Sequence, residues 1–186
     1  MQRSNAQKPP MRPSKESDRE QLELAREQGA AYQHALTTMI QDEAHGEAKV
    51  VGDYRVGYAV EEAEGMHFLR DGVLQWTEPM TENCHVEVAV SDAADGRFIP
   101  GLTVRVTLID DQGHELGTHE QPFLWHPWLY HYGRNWRVPG DGAYRLRVHI
   151  EAPHFPRHDH INGQRYAQSV DVEFDNVRIK TGQKRS

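Results

Sequence analysis

Cysteine is almost absent: Cys84 stands alone in 186 residues, so an intramolecular disulfide is excluded, and the chain suits a reduced compartment or export without bridges. No apolar run is long enough to span a bilayer as a helix, and Met1 to Pro10 lacks the apolar stretch of an export signal. As written, the sequence therefore reads as cytoplasmic. Basic charge is also scarce, with 21 Lys and Arg against 28 Asp and Glu and a net charge of −7. That balance argues against nucleic acid or an anionic membrane surface as the main partner. There is no zincin helix motif, phosphate loop, Gly-x-Ser-x-Gly elbow or Cys-x-x-Cys pair, which leaves hydrolase, nucleotide and redox-thiol functions without support.

Histidine is the residue in excess, at 12. The chain is 37% hydrophobic, enough at this length for one core and a single domain with a tail. Residues 1–16, rich in Pro, Ser, Gln, Lys and Arg, read as a disordered arm. Ser17 and Glu20 suggest a capping box, and Leu22, Ala25, Gly29, Tyr32, Leu36, Met39 and Ile40 recur at helical spacing, so 17–46 reads as an amphipathic helix. From Val50 the period falls to two. Strands near 53–60, 84–91, 102–109, 115–120, 143–151 and 169–179, separated by turn clusters, predict an all-β sandwich over 50–180, with 181–186 as a tail.

Three histidine clusters offer chemistry. Along Cys84–Val90 the side chains alternate, so Val86, Val88 and Val90 line a core while His85 and Glu87 emerge together on the other face. Imidazole suits iron, copper and zinc, and a carboxylate two residues away serves as a further ligand or as an imidazole partner. An ordinary solvent-facing strand has the same pattern. The segment Pro122–Trp136 reads as a loop stiffened by prolines that carries His126 and His131, one of them at most a direct ligand, amid rings that cover one end of the sandwich or form a dimer contact. His154, His158 and His160 fall in a third, Pro-broken segment, a weaker compositional hint of metal binding. Met66 offers a soft thioether, although methionine more often fills cores.

At His85-Val86-Glu87, Ile99–Val104, His131-Tyr132-Gly133 and Arg157-His158-Asp159 the sequence resembles the bacterial divalent iron transport protein family, over roughly Gly52 to Lys180. The resemblance implies an immunoglobulin-like β-sandwich with an N-terminal helical extension, a homodimer, and a periplasmic or extracellular protein that accompanies a membrane iron permease. It also implies a metal-binding accessory protein rather than an enzyme, holding one transition-metal ion: copper or iron(II), with zinc as a further candidate. Some relatives are surface lipoproteins that bind zinc. Carried over by position, the ligands are His85, His131 and His158, with Glu87 beside them. The family's methionine falls on Leu124, which cannot bind metal, so His126, Met66 or Met80 is the substitute to look for. A binding module that presents the Trp- and Tyr-rich segment to a non-metal ligand or a protein is the alternative.

Overall fold

The computed structural model describes residues 10–42 and 45–184. Helix α1 runs over Arg19–Asp42. Its capping box lies one residue later than the sequence suggests: the Gln21 amide donates to Asp18 Oδ1 at 2.9 Å, and the Asp18 amide donates to Gln21 Oε1 at 2.9 Å. The strands follow in order as β1 (His45–Val51), β2 (Tyr54–Glu61), β3 (Ala63–Glu64), β4 (Met66–Arg70), β5 (Val73–Thr77), β6 (Cys84–Asp92), β7 (Val104–Ile109), β8 (Glu115–Glu120), β9 (Phe123–Leu124), β10 (His131–Trp136), β11 (Gly142–Ile150), β12 (Val170–Ile179) and β13 (Gln183–Lys184).

Two antiparallel sheets, ordered β1-β2-β6-β10-β9 and β12-β11-β7-β8, face each other. Val56, Val86, Val88 and Val90 from the first meet Val106, Leu108, Leu146, Val148 and Phe174 from the second in one buried core. The fold is the immunoglobulin-like all-β sandwich with a helical N-terminal extension. Branched apolar residues alternate along these strands because each has one face to bury.

Three segments depart from expectation. The sandwich starts at His45 rather than 50: β1 is an edge strand whose described residues are exposed or half-buried, so it carries no alternating signal. Residues 131–136 are a strand inside the first sheet, not a loop. Tyr132 and Trp136 enter the core, and the Tyr132 hydroxyl donates to the Ile99 carbonyl at 2.8 Å and accepts the Leu102 amide at 3.0 Å. The described part of the arm, 10–16, is held on the 152–169 loop, with Ser14 Oγ donating to Asp159 Oδ2 at 2.8 Å and Arg12 exchanging two bonds of 2.9 Å with Asn162. Residues 1–9 lie outside the described residues. In the tail, β13 pairs parallel to β3.

Helix α1 lies across the outer face of the first sheet. Met39 is buried against Ala59 and Leu129, with Tyr32, Ala35 and Leu36 alongside. Two polar anchors fix its rotation: Tyr32 donates to the Tyr130 carbonyl at 2.7 Å, and Gln33 Nε2 donates to Ser91 Oγ at 3.1 Å and the Gly96 carbonyl at 2.9 Å. Gly29 permits the approach, because a Cβ there would overlap the Asp95 carbonyl oxygen. A face that an isolated sandwich would leave wet is thereby covered.

Candidate metal centre

Strand β6 is buried along its whole length. Val86, Val88 and Val90 point into the sandwich, and His85 and Glu87 share the other face as the alternation requires. That face is not in solvent, since His85 is 0% and Glu87 5% exposed. Strand β10 pairs with it so that Asn135 stands opposite His85 and Gly133 opposite Glu87. His131, two residues before Gly133, therefore projects from the same face.

The result is a compact donor set. His131 Nε2 lies 3.1 Å and His85 Nε2 3.7 Å from Glu87 Oε1, and one ligand atom of each residue falls within 4.8 Å of the others. Glu64 Oε1, from β3, is 3.9 Å from His85 Nε2. The far ring nitrogens fix which atoms face inward. Asn135 Nδ2 donates to the Glu64 carbonyl at 2.7 Å, so Asn135 Oδ1 faces His85 Nδ1 at 2.9 Å and must accept its proton. His131 Nδ1 likewise donates to the Leu129 carbonyl at 3.2 Å. In the neutral rings both Nε2 atoms then carry the lone pair.

Among the described residues, His85 Nε2, His131 Nε2 and Glu87 Oε2 are buried without a well-aligned hydrogen-bond partner, although His131 Nε2 stands 3.1 Å from Glu87 Oε1. Acceptors converging at this distance repel unless a cation, either a proton or a metal ion, lies among them. The titration behaviour agrees. Burial pulls His85 down to about 4 despite the pull of Glu87, so this imidazole is neutral at pH 7. Burial acts on His131 in the same sense, but the Glu87 carboxylate outweighs it and holds the ring above its usual value. Burial likewise opposes ionisation of Glu87, yet the His131 and His85 rings outweigh it and lower this carboxyl.

Gly133 completes the cradle. A Cβ there would stand 2.8 Å from His85 Nε2, 2.9 Å from Leu124 Cδ1 and 3.2 Å from His131 Cδ2. Leu124 pairs with His131 across β9 and β10, so the position where the resemblance expects methionine does border the cluster.

Of the residues singled out from the sequence, His85, Glu87 and His131 are brought together. His126 adjoins them, its ring centroid 6.1 Å from that of His131 and 5.6 Å from that of Trp128. His158 is not brought in: its side chain is 93% exposed and ion-paired to Glu16 at 3.1 Å. Asn135 and Glu64 escaped the sequence reading. Had 131–136 been recognised as a strand, the alternation of His131, Gly133 and Asn135 would have revealed the first of these.

A β-sandwich that gathers two imidazoles and a carboxylate on one covered sheet face has the donor set of a transition-metal-binding protein. Residues 77–178 match the Fe2+ transport protein family, and the chain belongs to that family. Comparison with curated proteins finds no match. Among solved structures, FetP of uropathogenic Escherichia coli shares 20% identity over 73% of this chain and 94% of its own, with a TM-score of 0.60. The copper-reconstituted P19 protein of Campylobacter jejuni shares 16% identity over 77% of this chain and 98% of its own, with a TM-score of 0.59. At these identities the likeness is one of fold.

Proposed function

We propose that the protein is a metal-binding accessory component of an iron-uptake system, holding one copper or iron(II) ion through His85 Nε2, His131 Nε2 and the Glu87 carboxylate. The observation that carries this reading is the convergence of two imidazole nitrogens and a carboxylate, all buried, within 4.8 Å of one another. The residues fit a transition-metal ion. Both histidines have their far nitrogens satisfied, by a side-chain amide and by a backbone carbonyl, as metal-binding imidazoles usually do. Metal-bound forms of FetP and P19, both containing copper, support the class of ligand.

The finer assignments belong to the same proposal. His126 is the nearest further imidazole, and Leu124 leaves the set without the family's thioether, which favours nitrogen and oxygen ligation and keeps zinc as a candidate. His158, exposed on one chain, is the third ligand that the family resemblance carries over, and a homodimer is the assembly the same resemblance implies. The protein works in the periplasm beside a membrane iron permease and carries out no catalysis of its own. Elemental analysis of protein purified without chelator, with competition titration of copper, iron(II) and zinc, tests the reading. One equivalent of metal is expected in the wild type and none in His85→Ala/His131→Ala. Metal binding that survives in the double variant overturns it. The exposed rings of Trp125, Trp128 and Tyr130 favour the alternative binding module, which predicts that Trp128→Ala abolishes ligand capture while chelator has no effect.

A further inference from the structure

The centre is roofed by α1 on one side, but on the other it adjoins an open hollow of about 310 Å³ between the β4–β5 hairpin, the 78–83 turn and strands β9 and β10. Met66, Met80, Glu64, Leu124, Gly133 and Asn135 are among the residues that line it. Its floor touches the centre. Asn135 is the hydrogen-bond partner of His85, and the missing side chain of Gly133 leaves open the position 2.8 Å from His85 Nε2. That nitrogen is wholly buried and has no hydrogen-bond partner among the described residues, so an unsatisfied lone pair lies beside the floor. Glu64 belongs to both places, lining the hollow and reaching within 3.9 Å of His85 Nε2.

The wall has unusual chemistry for a surface. Met80 is 86% exposed, although a methionine side chain gains by burial rather than by contact with water. It is also held there. The Glu82 carboxylate accepts the Met80 and Thr81 amides at 2.9 and 3.0 Å, and the Glu82 carbonyl accepts Gln183 Nε2 at 2.9 Å, which locks the turn that presents the thioether. Met66, half-buried on the hairpin, is a second methionine lining the same hollow. Thioethers favour cuprous copper over harder ions.

We propose that this hollow is the loading vestibule of the centre for cuprous copper: Met66 and Met80 take the ion on sulfur, and Glu64 stands between them and His85. Transfer is ligand exchange, in which copper–thioether contacts give way to contacts with the Glu64 carboxylate and then with His85 Nε2. No electron is transferred, and the His85 proton stays on Nδ1. The inference rests on the proposed metal function, and it assigns the two methionines to the rate of loading rather than to the final site.

The test presents cuprous copper as its bicinchoninate complex and follows loss of the complex's colour in a stopped-flow instrument, for wild type, Met66→Leu/Met80→Leu and His85→Ala/His131→Ala. Zinc, presented as a chromophoric chelate, is run in parallel. In the methionine variant copper loading is expected to slow by about tenfold or more, with equilibrium copper affinity within about twofold of wild type and zinc loading unchanged. Wild-type copper loading rates in that variant, or an equal slowing of copper and zinc, overturn the vestibule while leaving the metal centre intact. Failure of the wild type to take up copper overturns the vestibule, and failure to bind copper, iron(II) and zinc alike overturns the metal centre as well.

Discussion

Gly133→Ala is the most discriminating substitution, because one methyl group lands among three atoms of the centre and nothing else changes. Gly133 does not adopt the left-handed region of φ, so alanine brings no backbone strain. Its Cβ would stand 2.8 Å from His85 Nε2, 2.9 Å from Leu124 Cδ1 and 3.2 Å from His131 Cδ2. The leucine methyl can yield, but His85 is tied to Asn135 on a buried strand and cannot do so without breaking that bond. Overpacking of this kind costs about 1–3 kcal/mol. At roughly 2–4 °C per kcal/mol, the metal-free variant should melt several degrees below wild type. Metal affinity should suffer more, because the methyl occupies space that the His85 lone pair must use. The loss is expected to be at least the 10–100-fold seen when an outer partner of a metal ligand is removed. Gly140→Ala is the control: nothing lies within 4 Å of its Cβ, and it should alter neither quantity. Thermal melts with and without copper, alongside competition titration, measure both effects. If Gly133→Ala binds metal with wild-type affinity, the cluster as described is not the metal site.

Asn135→Ala removes the acceptor that sets the His85 tautomer, and metal affinity measured by the same titration should fall by about 10–100-fold. Leu124→Met restores a thioether beside His131 at nearly constant volume, so cuprous copper affinity should rise relative to zinc while stability changes by less than about 1.5 kcal/mol. Stability of the metal-free protein should peak near the unperturbed histidine value of about 6.5. His85, lowered to about 4, is charged in the unfolded chain before the folded one, so its contribution is lost as pH falls below that value. His131, raised, contributes below it and loses that contribution as pH climbs through its folded value. Melting temperatures across pH 4 to 9 measure the peak, and a flat profile refutes it. Metal binding competes with the His131 proton, so affinity should increase with pH until the folded value of His131, which lies above about 6.5, is passed, with proton release detectable by calorimetry in buffers of different ionisation enthalpy. Gly29→Ala should destabilise the protein even though alanine favours helix by about 1 kcal/mol, because the added Cβ would overlap the Asp95 carbonyl; a raised melting temperature would contradict the packing of α1.

Where burial is one-sided, the sequence was readable. Strands β2, β6, β7, β8, β11 and β12 each match a predicted segment to within two residues at either end, and the alternation in β6 places His85 and Glu87 on one face. Strand β10 was hidden because its outward positions are His131, Gly133 and Asn135, the residues of the centre, where an ordinary strand would show branched or charged side chains. Proline and aromatic density before it then favoured a loop. Strand β1 was hidden for the opposite reason, since an edge exposed on most residues has no pattern to read. The burial of His85 and Glu87 was not legible at all. It depends on a helix more than forty positions away in the chain settling over the sheet, which strand periodicity does not encode.

The family match begins at residue 77, after α1, β1 and β2 have already been laid down. Yet β2 is the neighbour of β6, Ala59 stands opposite Glu87 and Glu61 opposite His85, and Tyr54, Val56, Tyr58 and Val60 fill the core. Excising 77–178 would strip β6 of one hydrogen-bonding edge and remove one wall of the pair that carries the metal-facing side chains. The signature half of the molecule is therefore not a self-sufficient folding unit. Any graft, minimal fragment or chimera that is to keep this chemistry has to begin upstream, at the helix.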